Sequence, residues 1–131
     1  MAEKSPNDER QRSILVVDDD EELRLALVKS LSKAKYRVHA GANFKDGLDI
    51  LKSQQIDLLL TDLKMPDKSG IDLLKEVKTV SPKTRVIVMT AYGEMESYLE
   101  AMNIGAYDYI NKPINRDALM DLVKNALALP G

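Results

Sequence analysis

Five short apolar runs punctuate the chain, and a helical pattern follows each one. Ser13–Val17, Tyr36–Ala40, Ile56–Thr61, Arg85–Met89 and Ala106–Ile110 are each too short for a typical helix and read as strands. The segments between them repeat apolar residues at three- and four-residue steps. The stripes are Leu23, Ala26, Leu27, Leu31 and Ala34; Phe44, Leu48 and Leu51; Ile71, Leu74 and Val77; Met95, Leu99 and Met102; and Leu119, Leu122, Val123 and Ala126. Strands that read as continuous apolar runs, alternating with helices, belong in a parallel sheet covered on both faces. Right-handed crossovers then predict an α/β fold with a doubly wound, five-stranded parallel sheet. Gly41 breaks the second strand, Asn43 and Asn115 are placed to cap helices, Ser81-Pro82 marks a turn, and Gly105 is placed to end the fourth helix.

At 131 residues the chain has the size of one domain. Met1 to Arg12 offers little to bury and is expected to be a disordered tail. The domain is expected over 13–128, with 129–131 a tail or the start of a linker.

Composition removes several classes of function. With 19 Lys and Arg against 21 Asp and Glu, the chain lacks the basic excess of a nucleic-acid-binding domain. The absence of cysteine excludes disulfides, thiolate nucleophiles and zinc–thiolate sites. A single histidine, His39, argues against a His-rich metal site or a His-based triad, and as a lone residue on a short strand it reads as structural. No apolar run approaches membrane-spanning length, and the polar N-terminus lacks the core of a signal peptide. The expected location is cytoplasmic, with no membrane partner.

The stretch from Ile56 to Gly70 is the most informative. It reads strand, acid (Asp62), loop (Met65-Pro66, Ser69-Gly70) and helix, and strand ends are where open α/β sheets place their chemistry. In a parallel sheet every residue that follows a strand lies on one edge. That edge collects Asp18 and Asp19, Asp62, Thr90 and Lys112. Three close carboxylates repel unless they share a cation or stay partly protonated. An oxygen-only donor set suits Mg²⁺. A carboxylate, a lysine and a hydroxyl beside such an ion suit phosphoryl chemistry, with the carboxylate able to act as nucleophile. Each residue also has a plainer reading. Asp19 with Glu22 fits a helix capping box, Thr90 can simply end a strand, and Lys112 can be a surface lysine.

Taken together, Val17-Asp18-Asp19, Asp62 with Met65-Pro66 and Gly70, Thr90-Ala91 and Lys112-Pro113 resemble the receiver domain of the two-component response-regulator family. The likeness runs from Ser13 to Leu127 and implies a flavodoxin-like fold of the receiver type. It implies that Asp62 is the phosphoacceptor, charged by a sensor histidine kinase or a phosphotransfer protein. Asp18, Asp19 and the Lys64 backbone carbonyl would help Asp62 hold Mg²⁺. Thr90 and Tyr109 would be the switch pair, and Lys112 would pair with the phosphoryl group ahead of a cis Lys112-Pro113 bond. Lys64 and Tyr92 stand two residues after Asp62 and Thr90, where they would overhang the site and tune the life of the phosphoryl group. The implied protein is a signalling switch and not a metabolic enzyme, read out on the face of the fourth helix, fifth strand and fifth helix. Dimerisation through that face, the output and the cognate kinase are left open by the sequence.

Two rivals fit less well. A phosphatase of the haloacid dehalogenase type also uses a strand-end Asp but wants an acid where Lys64 stands. A flavodoxin-like FMN module wants a Ser/Thr/Gly-rich loop where Asp18-Asp19-Asp20 would repel the phosphate.

Overall fold

The computed structural model describes residues 11–91 and 95–128. Strands β1 (Ser13–Val17), β2 (Arg37–Gly41), β3 (Leu58–Asp62), β4 (Arg85–Thr90) and β5 (Asp108–Asn111) alternate with helices α1 (Glu21–Lys33), α2 (Phe44–Ser53), α3 (Gly70–Val80), α4 (Met95–Ile104) and α5 (Arg116–Ala128). All strand pairs are parallel, in the order β2-β1-β3-β4-β5. The chain steps from β1 outward to β2, then returns across β1 to β3, and the reversal opens a crevice at the carboxyl ends of β1 and β3. Upstream of β1, the Arg12 carbonyl accepts the Arg37 N–H at 2.8 Å, which ties this residue to the edge strand.

The period-two alternation of side chains splits the core into two layers. Leu15, Val17, Leu59, Val86 and Val88 face α2, α3 and α4, where they meet Phe44, Leu51, Leu74, Val77 and Ala101. Ile14, Val16, Leu58, Leu60, Ile87 and Met89 face α1 and α5, where they meet Leu27, Leu31, Leu119 and Val123. The central strands are apolar along their middles, residues 14–17, 58–60 and 86–89, because both of their faces are covered.

Caps largely follow the sequence. The side chains of Asn43 and Asn115 accept from Asp46 N and Ala118 N, each at 2.9 Å. Gly105, at φ 122, ends α4 in a conformation that side chains rarely adopt. The start of α1 differs from expectation. Asp20, not Asp19, is its N-cap, accepting from Leu23 N at 3.2 Å. Three consecutive aspartates give the sequence no means of choosing between them. The only capping box among the described helices is Ser69 with Asp72 on α3. Three residues expected on buried stripes are exposed, Ala26 on α1, Ala34 just past its end, and Leu99, which is 52% exposed on α4. Each helix needs only a narrow stripe, supplied by Leu27 and Leu31 in one and by Ala101 with Met102 in the other.

Candidate phosphoryl and metal site

The carboxyl ends of the strands bring the expected residues together. Asp18 follows β1, Asp62 is the last residue of β3, and these strands are direct neighbours. Thr90 is the last residue of β4, next to β3. Lys112 follows β5, two strands from Asp62 and therefore about 10 Å away across the sheet. Only a long side chain spans that gap. The Lys112 ammonium lies 3.0 Å from Asp18 Oδ2 and 3.3 Å from Asp62 Oδ2.

Asp18 is fully buried, Asp62 is nearly so, and Asp19 is exposed. Ligand oxygens of the three acids lie within 4.8 Å of one another. Asp18 Oδ1 accepts the Asp20 N–H at 2.9 Å, and the Arg24 guanidinium donates to the Asp18 carbonyl at 2.7 Å. Asp18 Oδ2 is a buried oxygen that accepts no directed hydrogen bond, so its contact with Lys112 is an ion pair set by charge and not by direction. A buried carboxylate oxygen with spare lone pairs, beside two further carboxylates, fits a hard divalent cation such as Mg²⁺.

Burial, and then the charge of Asp18, hold the Asp62 carboxyl above the usual carboxylate range, against the pull of Lys112 and of the Lys64 N–H. That N–H reaches Asp62 Oδ1 at 3.4 Å. Burial works against the Lys112 charge, but its contact with Asp18 and the charges of Asp62 and Asp18 prevail and hold the ammonium above its ordinary value.

The loop after Asp62 is fastened at both ends. Gly70 N donates to the Leu63 carbonyl at 2.8 Å, so α3 begins hard against the end of β3. A Cβ at position 70 would stand 2.1 Å from the Asp62 carbonyl oxygen. Asp67 accepts the N–H groups of Phe44 at 3.0 Å and Lys45 at 3.2 Å, joining the loop to the first turn of α2.

Tyr109 is partly buried on β5, and its ring centroid lies 4.1 Å from that of Tyr98 on α4, with the planes tilted by 52°. Lys64 is exposed, and the Lys112–Pro113 peptide bond is cis. Tyr92 lies outside the described residues, as does the Met95 side chain. Sequence reasoning missed Asn111, whose Oδ1 accepts the Thr90 hydroxyl at 2.9 Å. It also missed Arg24, Asp67 and Tyr98. Only Asn111 carried a signal, as the polar residue ending an apolar strand one position before Lys112.

Comparison with known proteins agrees with this geometry. The model of the response regulator receiver domain matches residues 14–124. Sporulation initiation phosphotransferase F of Bacillus subtilis is 39% identical over 116 residues, covering 88% of this chain and 94% of its own length. Response regulator protein PilR of Pseudomonas aeruginosa is 36% identical over 92% of this chain, which spans only 27% of PilR. The crystal structure of a CheY-like receiver domain from Methanospirillum hungatei superposes with a TM-score of 0.87 at 31% identity, covering 90% of this chain and 94% of that one. A structure described as the BeF3-activated DrrB receiver domain gives a TM-score of 0.83 at 30% identity, covering 91% of this chain and 99% of that one. Fold, strand-end constellation and sequence therefore converge, and the chain belongs to the family of response regulator receiver domains.

Proposed function

We infer that this receiver accepts a phosphoryl group on Asp62 from a phosphohistidine, with Mg²⁺ bound beside it. The observation that carries the reading is the convergence of Asp18, Asp19, Asp62 and Lys112 on one strand edge, with Asp62 at its centre. Asp18, Asp19, Asp62 and the Lys64 backbone carbonyl would hold the ion. Bound there, Mg²⁺ supplies charge neutralisation for the phosphoryl oxygens.

A carboxylate oxygen of Asp62 forms the new O–P bond. The N–P bond of the donor breaks, and its electron pair stays on the imidazole, which takes up a proton. Lys112 reaches the same spot and pairs with the negative oxygens that arrive. Thr90 donates its hydroxyl to one of them, and Tyr109 follows Thr90 toward the interior. The added group brings roughly -1.5 to -2 charges, enough to bias a two-state element built from the fourth and fifth βα units.

The donor is a sensor histidine kinase or a phosphotransfer protein in the cytoplasm. The chain spans 94% of the Bacillus subtilis relative's length, which is compatible with a stand-alone receiver. PilR and the DNA-binding transcriptional regulator NtrC are compatible with a receiver joined to an output domain, since this chain spans 27% and 25% of their lengths. No described helix is long and apolar enough to cross a membrane.

A radiolabelled phosphohistidine domain incubated with the chain tests the reading. Label is expected to move to this chain only when Mg²⁺ is present, to be lost on mild alkaline treatment as an acyl phosphate is, and to stay on the donor when the metal is chelated. Label that moves equally well without metal contradicts the assignment. For Tyr92 the proposed role is to screen the acyl phosphate from water. Tyr92→Ala should then dephosphorylate faster, about fivefold for a loss of about 1 kcal/mol of protection. An unchanged or slower decay rules the role out.

A further inference from the structure

The Thr90 hydroxyl is not free to meet an incoming phosphoryl group, because Asn111 already holds it. Their Oγ1–Oδ1 distance is 2.9 Å. The sheet itself sets this contact, since the β4–β5 register places Thr90 directly opposite Asn111. A second bond fixes the pair, with Lys112 N donating to the Thr90 carbonyl at 2.7 Å. The two partners differ in their alternatives. Thr90 is 3% exposed, so with the Asn111 side chain in place its hydroxyl has little access to water. Asn111 is exposed and can return to water at little cost.

Building on the phosphoryl reading above, we propose that Asn111 is a positioning residue that holds Thr90 away from Asp62 and sets the threshold for switching. In the unphosphorylated protein the bond to Asn111 satisfies a buried hydroxyl. A phosphoryl group on Asp62 must take that donor from Asn111 before Thr90 can move, so part of its interaction with Thr90 is offset by the bond that breaks. Because Tyr109 stands two residues before Asn111 on the same face of β5, the release begins beside the Tyr109–Tyr98 ring contact. Removing the Asn111 acceptor leaves the Thr90 donor unsatisfied in the resting arrangement and satisfied only in the switched one. The switched state should therefore become easier to reach.

The test is a double-mutant cycle read out by the affinity for beryllofluoride, a trigonal anion that mimics a phosphoryl group on a carboxylate, at saturating Mg²⁺. Asn111→Ala is expected to bind it about three- to tenfold more tightly than the wild type, the span of one net hydrogen bond. Asn111→Val, which also lacks the acceptor and suits a strand, is expected to do the same. In a Thr90→Ala background the Asn111 substitution should change nothing, because there is no hydroxyl left to hold. Unchanged or weaker binding in both Asn111 variants overturns the proposal, as does an equal gain with Thr90 already removed. Failure of the wild type itself to bind beryllofluoride would instead count against the phosphoryl reading of Asp62 on which the proposal rests.

Discussion

Lys112→Ala is expected to lower the unfolding free energy by about 2–3 kcal/mol at neutral pH. Removing one partner of a buried ion pair costs about 3–5 kcal/mol, and the partial exposure of Lys112 reduces that. Two carboxylates, Asp18 and Asp62, would be left facing each other with no cation between them. The pH dependence follows from the direction of the two shifts. Lys112 is held above its ordinary value, so its contribution is complete at neutral pH and is lost only as the pH rises through the folded value. Asp62 is also held above its ordinary value, so the fold disfavours its charged form, and acidification through its folded value relieves the strain. The deficit of Lys112→Ala should therefore be largest near neutrality and shrink as Asp62 protonates. Mg²⁺ should restore more stability to the variant than to the wild type, since the ion can neutralise what the lysine no longer does. Urea unfolding across the acidic range, with and without the metal, measures all three. A deficit that does not change with pH would mean that the lysine acts through packing of its stem.

Gly70→Ala is the second large effect expected. The added Cβ would lie 2.1 Å from the Asp62 carbonyl oxygen and 3.0 Å from the Asp62 carbonyl carbon and Leu63 Cα. All three obstacles are backbone, so no rotamer change relieves them. Either the end of β3 or the start of α3 must move, at about 2 kcal/mol or more, a fall in Tm of roughly 6–12 °C. The Asp62 carboxylate, the proposed acceptor, rides on the displaced backbone. A misplacement of about 1 Å costs on the order of a hundredfold in rate. Phosphorylation by a small donor should thus slow far more than the loss of folded protein explains. A stability loss with an unchanged rate per folded molecule would show that α3 yields and Asp62 stays in place.

Much of this was legible in the sequence for physical reasons. The unbroken apolar character of Ile14–Val17 and Leu58–Leu60 demands cover on both faces, which fixes a parallel sheet and with it a single functional edge. Once that edge is given, Asp18, Asp62, Thr90 and Lys112 must share it. The cap of α1 was not legible, because any of Asp18, Asp19 and Asp20 can cap a helix and only the backbone decides. The Thr90–Asn111 bond was hidden for a different reason. It depends on the β4–β5 register, and a shift of one residue would have aimed Asn111 at the opposite face. The Asp67 bridge to α2 and the Tyr98–Tyr109 contact likewise join elements whose relative placement no local pattern encodes.

The most direct test of the central assignment is an intact mass measured after incubation with Mg²⁺ and acetyl phosphate. The account predicts one phosphoryl adduct on the wild type, none on Asp62→Asn, and none on the wild type once the metal is chelated. An adduct that persists on Asp62→Asn, or forms equally well without the metal, would contradict it.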